Sequence, residues 1–154
     1  MIGYIRDFVG GAIAIFFFAY VIHSPKRTLI ISSLTGGFAY LIFRIFSVAL
    51  GKELIGYFVG SFLISASGEI CARIFKIPAN VLIFPSILLL VPGTGLYRSM
   101  LYLVQSDYDN FLSTGIRTVF ISVILALGIA VVNLIARKFS HMRALRREIS
   151  SHRH

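Results

Sequence analysis

The part of the sequence that is most informative about the fold is residues 76–98, which read KIPANVLIFPSILLLVPGTGLYR. It is mostly apolar, but Pro85 interrupts it once and Pro92-Gly93 interrupts it again. From Ile77 to Pro92 is about 22 Å of helical rise, so the second interruption falls well inside a bilayer. Proline removes an amide donor and glycine permits an unwound backbone. Irregular backbone occurs at this depth only where protein or water covers it, so the stretch predicts a membrane helix broken at Pro92-Gly93.

The composition of the whole chain is that of an integral membrane protein. Of the 154 residues, 57% are hydrophobic and only 14% are charged, and the mean hydropathy is +0.87. Soluble domains have about 45–50% apolar and about 25% charged residues. A soluble core of this length cannot bury so much apolar side chain, and the same excess excludes a disordered chain. The single cysteine, Cys71, excludes an internal disulfide and a cysteine-cluster metal site.

Five apolar segments are long enough to cross a bilayer, which requires about 20 residues per helix. The predicted transmembrane domain covers residues 1–136, with spans at about 4–22, 28–50, 54–75, 79–104 and 111–136, and a basic tail follows at 137–154. The predicted fold class is therefore an all-α integral membrane protein with about five transmembrane helices, the fourth of which is broken.

The connections between the spans alternate in charge, and this alternation predicts their orientation. Lys26-Arg27, Arg73 with Lys76, and the tail are basic, whereas connections 51–53 and 105–110 contain acidic residues. Because basic connections favour the cytoplasm, we expect the N-terminus outside and the C-terminus inside. That orientation requires an odd number of crossings. The broken fourth segment must then cross the membrane, since a re-entrant loop would place the acidic connection and the tail on inconsistent sides.

The net charge of +9 does not indicate binding to nucleic acid. Six of the fifteen basic residues fall in the last eighteen positions, without an RNA- or DNA-binding signature; they are Arg137, Lys138, Arg143, Arg146, Arg147 and Arg153. A basic tail after an apolar helix is typical of a cytoplasmic anchor, so we expect this tail to face anionic lipid.

The break at Pro92-Gly93 has the features of a site for an anion. A half-helix that begins near Thr94 would direct free backbone N–H groups and a positive dipole end at the break. Discontinuous helices of this kind bind anionic substrate groups in secondary transporters, and a nearby hydroxyl and cation would add to the site. The predicted substrate-binding residues are Pro92, Gly93, Thr94, Gly95, Tyr97 and Arg98. The alternative is a proline kink that binds nothing.

Polar residues on the third span form a second candidate site. Ser61, Ser65, Glu69 and Arg73 are spaced four residues apart and share one helical stripe. Glu69 lies about 10 Å from the cytoplasmic end, where an unpaired charge costs a few kcal/mol. Either Glu69 forms a local pair with Arg73, or the two residues act in substrate or proton movement. The serine hydroxyls favour the second interpretation, because a lipid-facing stripe gains nothing from them.

Two further arginines, Arg44 and Arg117, fall within reach of the outer interface. We expect both side chains to extend to the lipid headgroups. Arg44 shares a helix face with Gly36 and Tyr40, which leaves open a role in coupling or gating. No histidine, serine or cysteine has the neighbours that an enzyme or a metal centre requires, so we expect no catalysis, cofactor or metal.

The run Lys76-Ile77-Pro78, then Pro85, then Leu-Leu-Val-Pro-Gly ending at Gly93, then Tyr97-Arg98 resembles the threonine/serine exporter family. The chain is similar in length and span layout to the small membrane subunit, which is equivalent to the C-terminal half of the fused exporters. The resemblance implies a secondary exporter in the bacterial inner membrane that works with a larger membrane subunit. It also implies a small hydrophilic carboxylate as the substrate, either threonine and serine or a dicarboxylate such as succinate.

Small residues recur at the spacing of packed membrane helices, Gly56 with Gly60 and Ser33 with Gly37. This spacing predicts close packing between helices. Because such faces can also hold a helix of another chain, the rival prediction is a non-transporting membrane scaffold or a homo-oligomeric assembly protein.

Overall fold

The computed structural model describes residues 2–151 and the side chains of residues 3–138. Every regular element of this part of the chain is helical, which confirms the all-α class. The helices are α1 (Ile2–Val21), α2 (Lys26–Arg44, continued by a π-helical turn at Ile45–Ala49), α3 (Glu53–Phe75), α4 (Asn80–Ile87, continued by a 3₁₀ turn at Leu88–Leu90), α5 (Gly93–Val104) and α6 (Tyr108–Ser151). The side chains of the tail beyond Lys138, to which the prediction of lipid binding was mostly assigned, lie outside the described residues.

Left-handed residues other than glycine follow three of the helices. α1, α3 and α5 are followed by His23, Lys76 and Ser106, whose φ angles are 57°, 55° and 60°. A left-handed residue at this position lets the chain leave the helix and turn sharply. Consecutive helices that pack together across these short turns run antiparallel, so each turn lies at one end of the bundle.

The helices pack in the order α1, α2, α3, α6 and α5, and α4 fits against α2 and α3. The core is apolar and is formed by Ala39, Ile64, Ile83, Leu90, Ile121 and Leu125. Small residues allow the close approach that the sequence predicts. A Cβ on Gly60 would lie 2.8 Å from Leu90 Cδ1, and one on Gly56 would lie 3.1 Å from Phe43 O. These faces are therefore occupied by other helices of the same chain, which removes the feature that favoured a scaffold.

Four helices are long and apolar enough to cross a membrane, and α4 with α5 forms a bent pair whose axes differ by 52°. Counted as one span, this pair gives five crossings. The bend lies at the predicted break. Val91 has an extended backbone with ψ 128°, because the ring of a following proline disfavours the helical region.

The earlier proline, Pro85, does not break the helix. α4 continues through it, although the sequence pattern presents both prolines as interruptions. Pro85 is fully buried, so its loss of one backbone hydrogen bond is offset by packing of the ring.

Charge is distributed unequally between the two ends of the bundle. The end that contains the α1–α2 turn has six described basic residues and one carboxylate; they are Lys26, Arg27, Arg73, Lys76, Arg137, Lys138 and Glu69. The opposite end has four basic and four acidic residues; they are Arg6, Arg44, Lys52, Arg117, Asp7, Glu53, Asp107 and Asp109. The connections that alternate in charge along the sequence are thus sorted to opposite ends by the antiparallel packing.

Candidate substrate site at the broken helix

The first turn of α5 presents free backbone amides. The Gly93 N–H donates to Val91 O at 2.7 Å, and the Leu96 N–H donates to Pro92 O at 3.1 Å. Between them, the amides of Thr94 and Gly95 meet no acceptor among the described residues. Two unpaired donors at a helix N-terminus, where the helix dipole is positive, favour an anion.

The residues around these amides divide between two faces of α5. Thr94, Tyr97 and Arg98 are exposed and share one helical face. Gly95 and the buried Ser99 face α6, and a Cβ on Gly95 would collide with the Thr118 side chain. Gly95 is therefore a packing residue that contributes its backbone N–H and allows the two helices to approach.

The site opens on the surface of the bundle and not into its core. Pro92 is buried, but Gly93 is exposed and a Cβ placed on it would have no neighbour within 4 Å. Tyr97 is 69% exposed. Arg98 takes part in none of the three ion pairs formed by the described residues. A substrate bound here would be covered on one side only by this chain.

Glu69 and Arg73 form the local pair that the sequence allows. Glu69 Oε2 lies 3.7 Å from Arg73 Nη2, and the same nitrogen donates to Ala136 O on α6 at 3.0 Å. Both residues line a cavity of about 300 Å³ between α3 and α6, whose other walls are apolar. The pair therefore lies at an open cleft near the basic end of the bundle, with both side chains partly exposed.

The family model for "Threonine/Serine exporter, ThrE" matches residues 7–135, which include the break and the Glu69–Arg73 cleft. The chain belongs to the threonine/serine exporter family. No curated protein and no solved structure matches the chain significantly. Membership identifies an exporter-type membrane transporter and confirms the family resemblance seen in the sequence.

In this exporter-family chain, the break and the Glu69–Arg73 cleft are separate. The last residue of the 3₁₀ turn, Leu90, contacts α3 at Gly60. Nine residues of α3 then lead to Glu69, a rise of about 14 Å. The structure brings Glu69 to Arg73, but it does not bring either of them to the free amides of α5.

The serines of the α3 stripe are packed and do not line an open channel. Ser61 and Ser65 are fully buried. The Ser61 hydroxyl donates to Phe58 O at 3.0 Å. A Cβ on Gly128 of α6 would collide with this hydroxyl. Ser65 Oγ has no hydrogen-bond partner among the described residues. Small hydroxyl side chains here permit close contact between α3 and α6.

Two ion pairs that the sequence pattern does not predict lie at the end opposite the basic end. Arg44 Nε donates to Asp7 Oδ2 at 3.0 Å, and Arg117 pairs with Glu53. Both arginines were expected to extend to headgroups, but a carboxylate on a neighbouring helix binds each of them. A signal for the first pair exists, because Asp7 precedes the α1–α2 turn by about as many residues as Arg44 follows it.

Metal binding has no candidate site in the described part of the chain. No group of three or more histidine, cysteine, aspartate or glutamate residues lies close enough together there to hold an ion.

Proposed function

We propose that this chain is one subunit of a secondary exporter for small hydrophilic carboxylates in the bacterial inner membrane. The substrate is threonine and serine or a dicarboxylate such as succinate. The observation that carries the proposal is the first turn of α5, where the free amides of Thr94 and Gly95 lie one turn from Arg98. Amide donors, a positive helix end and a guanidinium are the groups that bind carboxylates in proteins.

A second, larger membrane subunit completes this site. Unpaired amides in the hydrocarbon region cost several kcal/mol each. Arg98 adds to this cost, because it lies six residues, or about 9 Å, before the end of α5, and insertion scales give about 2.5–3.5 kcal/mol for an arginine at a helix centre. Protein that covers the open face of α5 removes both costs and encloses the substrate between the two subunits.

Charged pairs near the two ends of the bundle are suited to coupling and gating. Glu69 and Arg73 occupy the cleft near the basic end, which we assign to the cytoplasm by the positive-inside bias. Arg44 and Asp7 join α2 to α1 at the opposite end, with the N-terminus outside. The proposed substrate site lies between the ends of the bundle at which these two pairs are found. Alternate breaking of the two pairs would therefore open the site to one side of the membrane at a time.

Transport by the reconstituted pair of subunits tests the proposal. Liposomes that contain this chain and the larger subunit should move radiolabelled threonine or succinate, and liposomes with this chain alone should not. Gly93→Leu should abolish transport per folded molecule, because leucine fills the space in front of the free amides, and Gly93→Ala should give an intermediate rate. Normal specific activity in Gly93→Leu would show that the break is not the substrate site.

Gly10→Leu is the matched control for that experiment. A Cβ on Gly10 also has no neighbour within 4 Å, so the two substitutions add the same side chain in open space on different helices. Loss of transport in both variants would point to a general effect of bulk on the membrane-exposed surface and would contradict a site at Gly93.

Glu69→Gln tests the coupling role separately. The amide keeps the shape of the side chain and removes its charge, so we expect transport to stop while the amount of folded protein in the membrane stays near the wild-type level. Full activity of Glu69→Gln would refute the coupling role and would leave the substrate site unaffected. Loss of protein together with loss of activity would show that the pair is structural.

A further inference from the structure

A large surface groove runs between α1 and α2 at the basic end of the bundle. Its volume is about 660 Å³, and its walls are mainly apolar and aromatic. Phe17 and Tyr20 of α1 and Ile30 of α2 line it and are 61%, 66% and 61% exposed. An apolar groove whose wall residues are exposed on two helices long enough to cross a membrane is suited to a hydrocarbon chain.

The end of the groove at the α1–α2 turn is polar and basic. His23 and Lys26 line it there, and Arg27 is the next residue along the chain. Lys26 and Arg27 are exposed and take part in none of the ion pairs of the described chain. Among the described residues, the one carboxylate at this end of the bundle is Glu69, which is paired with Arg73. An unneutralised pair of cations at the mouth of an apolar groove is complementary to a phosphate with an attached acyl chain.

The position of the groove also distinguishes it from the open face of α5. The helices pack in the order α1, α2, α3, α6 and α5, so the groove and α5 lie at opposite edges of the bundle. A second subunit that covers α5 would leave the α1–α2 edge in contact with lipid.

We propose that an anionic phospholipid binds in the α1–α2 groove, with its acyl chain against Phe17, Tyr20 and Ile30 and its phosphate at His23 and Lys26. Attraction between a basic side chain and an anionic membrane surface corresponds to about a fivefold preference for each Lys or Arg. The groove should therefore select phosphatidylglycerol over phosphatidylcholine by about fivefold or more.

The chain contains no tryptophan, which permits a direct measurement. Phe17→Trp places a single tryptophan in the groove, which can be excited selectively over the seven tyrosines of the chain. The purified full chain would be reconstituted in phosphatidylcholine vesicles with a fraction of brominated phosphatidylglycerol or, in parallel, of brominated phosphatidylcholine with the same acyl chains. We expect the brominated phosphatidylglycerol to quench at about fivefold lower mole fraction. Ile30→Trp, on the other wall of the groove, should report the same preference if Phe17→Trp fails to fold.

Phe38→Trp is the positional control, because Phe38 is 54% exposed and lines none of the described cavities. It should show equal quenching by both lipids. Adding Lys26→Gln to Phe17→Trp should lower the preference about fivefold, whereas adding Lys52→Gln, at the other end of the bundle, should not change it.

Equal quenching by the two lipids at Phe17→Trp and Ile30→Trp would overturn the proposal. So would the absence of quenching by either lipid when the larger subunit is present, since a protein would then occupy the groove. The readout does not involve transport, so failure of the lipid site and failure of the proposed exporter function are distinguishable.

Discussion

The two halves of the broken span have different surroundings. Half of the residues of α4 are buried between its neighbours; they are Leu82, Ile83, Pro85 and Ser86. α4 is also held by polar contacts, since Ser86 Oγ donates to Ser32 O of α2 at 3.0 Å. In α5, by contrast, Ser99 is the single buried residue of twelve. Within the described part of the chain, α6 is the one helix against which α5 packs extensively.

This difference separates the roles of the two halves. α4 is anchored by its own chain, so it fixes the depth and direction of the break. α5 carries the free amides and Arg98 on a face that no described part of the chain covers. The break at Val91-Pro92 thus joins an anchored half to a half that the described chain leaves uncovered, which is the arrangement expected of one subunit in the proposed two-subunit site.

The largest expected effect is an all-or-none difference in cysteine labelling, which tests whether α4 and α5 together cross the membrane. In a Cys71→Ser background, we expect Asp107→Cys to react with a membrane-impermeant maleimide from outside, and Lys76→Cys to react only after permeabilisation. Lys76 lies just before α4, and Asp107 lies just after α5. Labelling of both from the same side would mean that the pair is a re-entrant loop.

Gly36→Leu should have the next largest effect, because it acts on the anchored half. A Cβ on Gly36 would collide with Ile15 and lie 3.2 Å from Ser86 Cα, which is backbone and cannot move aside. Overpacking of this kind costs about 1–3 kcal/mol, so we expect a lower thermal midpoint and a smaller folded peak in size-exclusion chromatography than for the wild type. Gly93→Leu, on the open half, should fold normally. Equal folding of the two variants would contradict the difference in packing.

Arg98→Leu tests the open half without changing the fold. Loss of a hydrogen bond to a charged group costs about 1.5–3 kcal/mol, so transport per folded molecule should fall by about 10- to 100-fold. Because the side chain is exposed, the thermal midpoint of the detergent-purified chain should not fall. Arg98→Lys keeps the charge and should retain part of the activity. A lower midpoint in Arg98→Leu would indicate a structural role for the arginine.

The smallest effects are expected at Thr94, where backbone and side chain can be separated. Thr94→Pro removes the free N–H. Proline is tolerated in the first turn of a helix, and the preceding Gly93 lacks the Cβ that a following proline ring would crowd. Transport should fall by about tenfold, as expected for loss of one donor to a carboxylate. Thr94→Ala keeps the N–H and should stay within about twofold of wild type, since the hydroxyl makes no hydrogen bond among the described residues. Equal rates for the two variants would exclude the amide from the site.

Features that depend on one short stretch of chain could be predicted from the sequence. The break at Pro92 is one, because a proline disfavours helical geometry at the residue before it wherever the chain folds. The apolar spans and the all-α class are others, since backbone amides in a bilayer can be satisfied within a single segment only by a helix. The local pair of Glu69 with Arg73 also follows from their spacing of four residues.

Features that depend on which helices meet were decided by the tertiary structure. Asp7 with Arg44, and Glu53 with Arg117, are far apart in sequence and come together only because their helices pack side by side. Packing also turned Gly95 toward Thr118 and left Thr94, Tyr97 and Arg98 on the open face, although all four belong to one sequence motif. The spacing of residues on a helix fixes which of them share a face, but the neighbouring helices determine which face is covered and which stays free to bind.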